Sequence, residues 1–314
     1  MKRLLALLCA LCLLLSSAAL AEDYILLKGD LHCHSKYSHD SDTPYEQVMA
    51  ESKIAGYDFI ALTEHNTKNH LKQDLSSEDM IVLPAMELTM RCGHFNVFGL
   101  RSFEYKTDLI EVELADYIKY CREVGMLIQM NHPNDKLYYS RYGYRPDVDM
   151  LEILNGKVTA DDLKTLADYQ TLLSEGRRII ATCGTDAHKN YTSRYAFNCV
   201  YATARTPEAI LEAIAAGRLY IATAANGPVI QLTCGDYVMG QTKPREANDE
   251  VTISLKNLPT LSSVRVYTSA GLVQNQSGKG ELTLSVPVGD SLFVRCEIWQ
   301  SGSVIAVSNP LYFE

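Results

Sequence analysis

Six of the eight histidines stand in short clusters with Asp or Glu, each just after an apolar run. The clusters are Asp30-Leu31-His32-Cys33-His34, Glu64-His65, Glu87 with His94, His132 before Pro133, and Asp186-Ala187-His188. Imidazole and carboxylate are ligands shared by Zn, Fe and Mn. Five such clusters at similar positions predict one metal centre assembled from distant parts of the chain.

The elements that must position them can be read from the pattern between the clusters. From Tyr24 to about Thr223, strands alternate with helices. Tyr24–Leu27 leads into the first cluster. Thr43-Pro44-Tyr45-Glu46 reads as a helix start, with Thr43 as the cap, and Gly56 as the stop. Asp58–Leu62 precedes Glu64-His65, and Met80–Leu83 precedes Glu87. Asp108–Val124 reads as a helix ended by Gly125, and Met126–Met130 as a strand ending near His132. Met150–Leu154 ends at Asn155. Asp161–Glu175 is helical, Arg178–Thr182 runs toward Asp186 and His188, and Pro207–Ala216 is a last helix. Strands separated by helices imply parallel pairing through helical crossovers. The ligand-type residues then fall at strand C-terminal ends, where α/β barrels gather their active sites.

After about Asn226 the period changes to two. Val251, Ile253 and Leu255 alternate with polar residues, as do Val264 and Val266, Leu282 to Val286, and Leu292 to Ile298. Asn275–Gly280 and Ser301–Ser303 read as turns. This predicts a small all-β, sandwich-like domain of residues 225–314. It holds no histidine, so the metal ligands are expected in residues 22–224.

The composition is 47% hydrophobic and 21% charged, which suits a globular protein with a real core. The formal charge of −9 and the lack of a basic run argue against general nucleic-acid binding. Lys2 and Arg3, the apolar stretch Leu4–Leu15 and the small residues of Ala19-Leu20-Ala21 predict a signal peptide over residues 1–21. Export to the periplasm or the extracellular space follows, with no membrane span in the mature chain. A retained N-terminal anchor is the alternative. Seven cysteines lie beyond that leader; their spacing gives neither a disulfide framework nor a CxxC zinc pair.

His32 and His34 are two apart on a strand end and share a face, while Cys33 points into packing. Asp30 shares their face, as a ligand or as a partner that orients an imidazole. In Ser38-His39-Asp40-Ser41, Asp40 is the ligand candidate and His39 a substitute or an active-site acid. Glu64 should face away from His65 and support the centre from behind. His70 is expected in solvent.

These motifs resemble the polymerase and histidinol phosphatase (PHP) superfamily of metal-dependent hydrolases over most of Lys28 to about Tyr220. The carriers are Gly29-Asp30-Leu31-His32-Cys33-His34-Ser35, Leu62-Thr63-Glu64-His65-Asn66, Glu87, Gly93-His94-Phe95-Asn96, Asn131-His132-Pro133 and Gly184-Thr185-Asp186-Ala187-His188. The CehA/McbA-type subgroup, with its C-terminal β domain, looks most similar. The sequence departs from the family at Glu64, where Asp is usual, and at Ser38–Ser41, where Ser-Asp-Gly is usual. The resemblance implies an α/β fold, a distorted (β/α)7 barrel. It implies two or three divalent ions (Zn, Mn or Fe) held by His32, His34, Asp40, His65, Glu87, His94, His132, Asp186 and His188. His32, His34, Glu87 and Asp186 would form one group with Glu87 as a bridge, and the other five would complete the set.

The expected function is a secreted metal-dependent phosphoesterase acting on a small-molecule phosphate mono- or diester. Its nucleophile would be a water made acidic by the ions. Asp30, Glu64 and His39 are the candidate catalytic residues outside the ligand set. Arg141 and Arg145, in the segment Leu137–Arg145, are candidate substrate contacts, as are Arg194 and Asn66; Lys189 is a weaker one. Two alternatives stand beside this reading: a carboxyl-ester, amide or carbamate hydrolase with the same metal chemistry, and a non-catalytic, metal-containing binding protein.

Overall fold

The computed structural model describes residues 24–72, 75–77, 79–90, 92–99, 114–134, 147–192 and 195–314. The leader, the segment Leu137–Arg145 and Arg194 lie outside the described residues.

The first part of the chain runs β1 (Ile25–Cys33), α1 (Tyr45–Ala55), β2 (Phe59–Leu62), β3 (Ile81–Met90), β4 (Gly93–Phe98), α2 (Leu114–Glu123), β5 (Leu127–Met130), β6 (Met150–Asn155), α3 (Ala160–Ser174), β7 (Ile180–Gly184), β8 (Phe197–Ala202), α4 (Pro207–Ala215) and β9 (Leu219–Ala222). It is a mixed α/β fold. β1, β2 and β3 pair in parallel, as do β5, β6 and β7. Just past β7, Asp186 N donates to His32 O at 2.8 Å, and His34 N donates to Ala187 O at 2.9 Å. The chain after β7 therefore lies beside the end of β1, which brings the first and last His clusters together.

Parallel pairing does not extend throughout. β4 is antiparallel to both β3 and β5. Only two residues separate β3 from β4, too few for a helical crossover, so the chain must turn back as a hairpin. His94 sits on this returning strand and not at the end of a parallel one.

Helix ends follow local chemistry. Gly56 ends α1 in the left-handed region (φ 95°), and Gly125 follows α2 at φ 74°. Thr159 and Asp162 form a capping box at the start of α3. At α1 the expected Thr43 cap is absent: Pro44 is the cap residue and no side chain bonds to the first turn. The Thr43 hydroxyl donates instead to His188 O at 3.0 Å, as Ser41 Oγ does at 2.9 Å. Tethering a ligand-bearing loop takes precedence over capping the helix.

Inside the strands, every residue of β2 (Phe59, Ile60, Ala61, Leu62) is fully buried. Each such large side chain contributes roughly 1.5–3 kcal/mol of burial free energy. This is the rigid base on which the polar strand ends are mounted. In β1, Cys33 is buried and its thiol faces Ala61 O, as the alternation requires.

The remainder is strand: β10 (Val229–Cys234), β11 (Tyr237–Val238), β12 (Thr242–Lys243), β13 (Glu250–Thr268), β14 (Gly271–Pro287), β15 (Phe293–Gln300), β16 (Ser303–Ser308) and β17 (Leu311–Phe313). Pairing is antiparallel except for β12 with β17. Asn275–Gly280 is not a turn. It lies inside β14, paired with β13 through register shifts at Leu258 and Ser262 that absorb the irregular residues. Ser301-Gly302 is a turn, with φ of 51° and 83°. β16 pairs with β9, so the backbone ladder runs unbroken from the α/β part into the all-β part.

Candidate metal centre

All nine sequence-predicted ligands converge. His32 and His34 share one face of the β1 end and are fully buried. Glu87 reaches in from β3, also fully buried. Its Oε1 lies 3.4 Å from His32 Nε2 and 3.1 Å from His94 Nδ1. Its Oε2 lies 3.4 Å from His34 Nε2 and 2.9 Å from His65 Nδ1. Asp186 Oδ1 is 3.4 Å from His32 Nε2 and 3.2 Å from His34 Nε2. His132 Nε2 is 3.8 Å from Glu87 Oε1 and 3.9 Å from Asp186 Oδ2. Asp40 Oδ2 sits at the outer side, 3.2 Å from His65 Nε2 and 3.1 Å from His188 Nε2.

Two of these residues adopt left-handed backbone conformations uncommon outside glycine: His132 at φ 26° and Asp186 at φ 50°. Both follow a strand, and the turn aims their side chains inward. Such strain persists only where the surroundings enforce it. The His132 amide is held by Glu152 Oε2 (2.8 Å) and the Asp186 amide by His32 O (2.8 Å).

The donor set fits divalent ions. Three groups satisfy the mutual distances a single ion requires: His32, His34 and Glu87; His65, Glu87 and His94; His34, His65 and His188. They overlap at His34, His65 and Glu87. A tetrahedral ion with arms of about 2.0–2.1 Å holds its ligand atoms about 3.3 Å apart, close to the 3.4 Å and 3.2 Å separations around His32 and His34. His32 Nε2 is buried with no hydrogen bond. A buried polar atom in that state is costly unless something pairs with it.

The electrostatics divide: against their burial, His32, His65 and His132 are raised by the surrounding carboxylates, so a bound ion would take the place of protons there. Burial opposes charge on Glu87, yet His32 and neighbouring imidazoles hold its carboxyl well below the usual range. Asp186 is likewise depressed against its burial, by His32 and His34. Both carboxylates are thus ionised in a buried site. Burial pushes His34 down to about 4, which keeps it neutral as a ligand must be.

The supporting residues differ from expectation in several places. Asp30 does not present a free carboxylate. It accepts from His32 N (3.0 Å), Thr185 N (3.1 Å) and the Thr185 hydroxyl, joining β1 to the loop after β7. Glu64 does face away from His65, and its carboxylate accepts from Ser35 N (3.1 Å) and Ser35 Oγ (2.5 Å). Both acids hold the chain around His32, His34 and Asp186 in place, and burial pushes the Asp30 carboxyl up to about 6. Asn66 is paired with Thr89 through both its amide oxygen and nitrogen, which fixes the turn after His65. His39 is exposed, with its ring 5.1 Å from that of His65.

His70 is not in solvent. It is fully buried, with Nε2 3.1 Å from Ala85 O, because its short 3-10 turn packs down onto β3. Burial pushes its imidazole down to about 4. The unfolded value is about 6.5, so the unfolded chain binds the extra proton first. This contribution to stability is full above about pH 6.5 and is lost as pH falls toward 4, by up to about 3 kcal/mol. In urea titrations of the metal-free protein, His70→Gln should lose less stability between pH 7 and 4.5 than wild type, by about 2–3 kcal/mol. Equal losses would contradict this account.

Two residues that matter here carried no assigned role in the sequence. Asn131 Nδ2 donates to Glu87 Oε1 (2.8 Å) and Asn96 Oδ1 (2.9 Å). Glu152, nearly fully buried, contacts His32 Nδ1 at 2.9 Å. Its only local signal is a lone acid within the apolar run Met150–Leu154.

A mixed α/β fold here gathers a buried, multi-histidine cluster whose donor set suits metal ions. Residues 30–221 match the PHP domain family, well over half of the chain, and the chain belongs to that family. No curated protein matches the sequence. Among solved structures, the chain is similar to a two-domain protein from Bacteroides vulgatus containing a predicted PHP-like metal-dependent phosphoesterase. The identity is 17% and the TM-score 0.51, over 92% of this chain and 96% of that one. This likeness is one of fold. An endonuclease Q bound to an abasic-site duplex is more distant (17% identity, TM-score 0.46, 60% of this chain and 56% of that one). So is an amidohydrolase from Chromobacterium violaceum (13% identity, TM-score 0.38, 51% of this chain and 87% of that one).

Proposed function

We propose that this protein is an exported metal-dependent phosphoesterase of the CehA/McbA type, acting on a small phosphate mono- or diester. In this reading residues 1–21 are a signal peptide. Residues 22–224 form a distorted (β/α)7 barrel, and residues 225–314 a C-terminal β domain. The observation that carries the reading is the overlap of three ligand groups at His34, His65 and Glu87. Adjacent ions suit phosphoryl transfer, because they stabilise the attacking and the leaving oxygen of an in-line displacement together. The similar Bacteroides vulgatus protein contains a predicted PHP-like metal-dependent phosphoesterase, which is in keeping with this choice.

His32, His34, Glu87 and Asp186 would hold one ion. His65 and His94 with Glu87 would hold a second, and Asp40, His65 and His188 would complete the outer side, with His132 closing the inner one. Bound ions supply Lewis acidity and lower the pKa of water at the site. The chain's own part is to keep the Glu87 and Asp186 carboxylates ionised and His34 neutral; at His32, His65 and His132 the same carboxylates favour a proton that a bound ion would displace. In this reading His39, exposed beside His65, gives a proton to the leaving group. Arg141, Arg145 and Arg194 remain candidates for binding the phosphate.

Purified protein loaded in turn with Zn, Mn and Fe should hydrolyse p-nitrophenyl phosphate or its bis-ester, and a chelator should abolish the rate. Turnover confined to p-nitrophenyl acetate or an anilide would sink the phosphoesterase reading in favour of a carboxyl-ester or amide hydrolase. A folded, metal-loaded protein inert on every substrate would favour a binding role.

A further inference from the structure

We infer that Glu152 is a positioning residue that decides which nitrogen of His32 faces the metal site. Glu152 lies on β6, 120 positions from His32 in sequence, and its side chain is fully buried. Oε1 is 2.9 Å from His32 Nδ1. Oε2 accepts from His132 N (2.8 Å) and from Asn155 Nδ2 (3.0 Å). An ionised carboxylate can only accept, so His32 must donate from Nδ1. That leaves Nε2 as the nitrogen a bound ion would take: it faces Glu87 Oε1 and Asp186 Oδ1 and has no hydrogen bond of its own. The other oxygen of the same carboxylate pins the His132 amide at its unusual φ of 26°. One buried group therefore sets the proton of one imidazole and the backbone of a second.

The surroundings are shaped to this contact. A Cβ on Gly184 would lie 2.3 Å from Glu152 Oε1 and 2.2 Å from His32 Cβ. The bare backbone of β7 is what allows the carboxylate and the imidazole to meet. The inference rests on the metal-centre reading, and its test separates the two.

In Glu152→Gln the two donors at Oε2 would select the amide oxygen. The amide NH2 would then turn to His32 Nδ1. A donor at that position requires Nδ1 to accept, which moves the ring proton to Nε2 and blocks it as a ligand. Adding Asn155→Asp replaces one of those two donors by an acceptor, against the remaining His132 N–H, and should turn the amide back in part. The probe is Zn2+ alone, in competition with a fluorescent chelator, with circular dichroism to check folding. Glu152→Gln should bind its tightest Zn2+ about 10–100-fold more weakly. The double variant should recover part of that loss. In NMR of the zinc-loaded wild type, the His32 proton should sit on Nδ1. Unchanged affinity in Glu152→Gln, no recovery in the double variant, or zinc bound through Nδ1 would overturn the role given to Glu152. A wild type that binds no Zn2+ would overturn the metal-centre reading as well. Were the glutamine variant unfolded, the wild-type NMR result alone would decide.

Discussion

Glu87→Gln is expected to lower phosphoester kcat/KM by on the order of 10³-fold or more and to strip metal from the centre, while the chain stays folded. Glu87 is the acid that two of the three ligand groups have in common. Its two oxygens lie within 3.4 Å of four imidazoles, those of His32, His34, His65 and His94. A glutamine keeps the shape but removes the charge. Its NH2 would also point a donor at nitrogens that must offer lone pairs. Ions on both sides of Glu87 should be weakened together, which is why the expected loss exceeds that for any ligand serving one group. The fold should survive, because the Asn131 and backbone contacts around position 87 do not need a charge. Assays of kcat/KM and of thermal unfolding on the same preparation check both halves. A variant retaining a tenth or more of wild-type kcat/KM would contradict the role given to Glu87.

Gly184→Ala should damage the centre although it removes no functional group. The added methyl would sit 2.2 Å from His32 Cβ and 2.3 Å from Glu152 Oε1, where neither neighbour can retreat. His32 is fixed by its strand, and Glu152 by three polar contacts. Overpacking of this kind costs about 1–3 kcal/mol, or several degrees in Tm for a chain of this size. The methyl should also push His32 out of line with Glu87 and Asp186, so bound metal should fall with Tm. Calorimetry with elemental analysis on the purified variant tests this. Unchanged Tm and unchanged metal content would show that the contact is looser than described.

The convergence of these residues was legible in the sequence because imidazoles and carboxylates stood just past apolar runs, and strand ends of an α/β fold converge. His32 and His34 could be placed on one face from their spacing alone. Glycine stops at Gly56 and Gly125 were equally local and equally readable. What escaped the sequence was set by distant contacts. The seat of β4 in the sheet depends on its pairing with β5, about thirty residues on. Burial of His70 depends on Ala85 accepting from its ring. Asp30 and Asn66 resemble reactive groups in sequence, but Thr185 and Thr89 take up their polar atoms. Glu152 gave only the oddity of an acid in an apolar strand, since its partners His32 and His132 lie on other strands. Chemical type was visible in the chain; which groups are spent on one another was visible only in three dimensions.

The most direct test of the central claim is elemental analysis of the wild-type protein as purified, set beside Glu87→Gln. The account predicts two or three divalent ions per wild-type chain, of Zn, Mn or Fe, and at most one in the variant. A wild type that carries no divalent metal, and takes up none on dialysis against these ions, would contradict it.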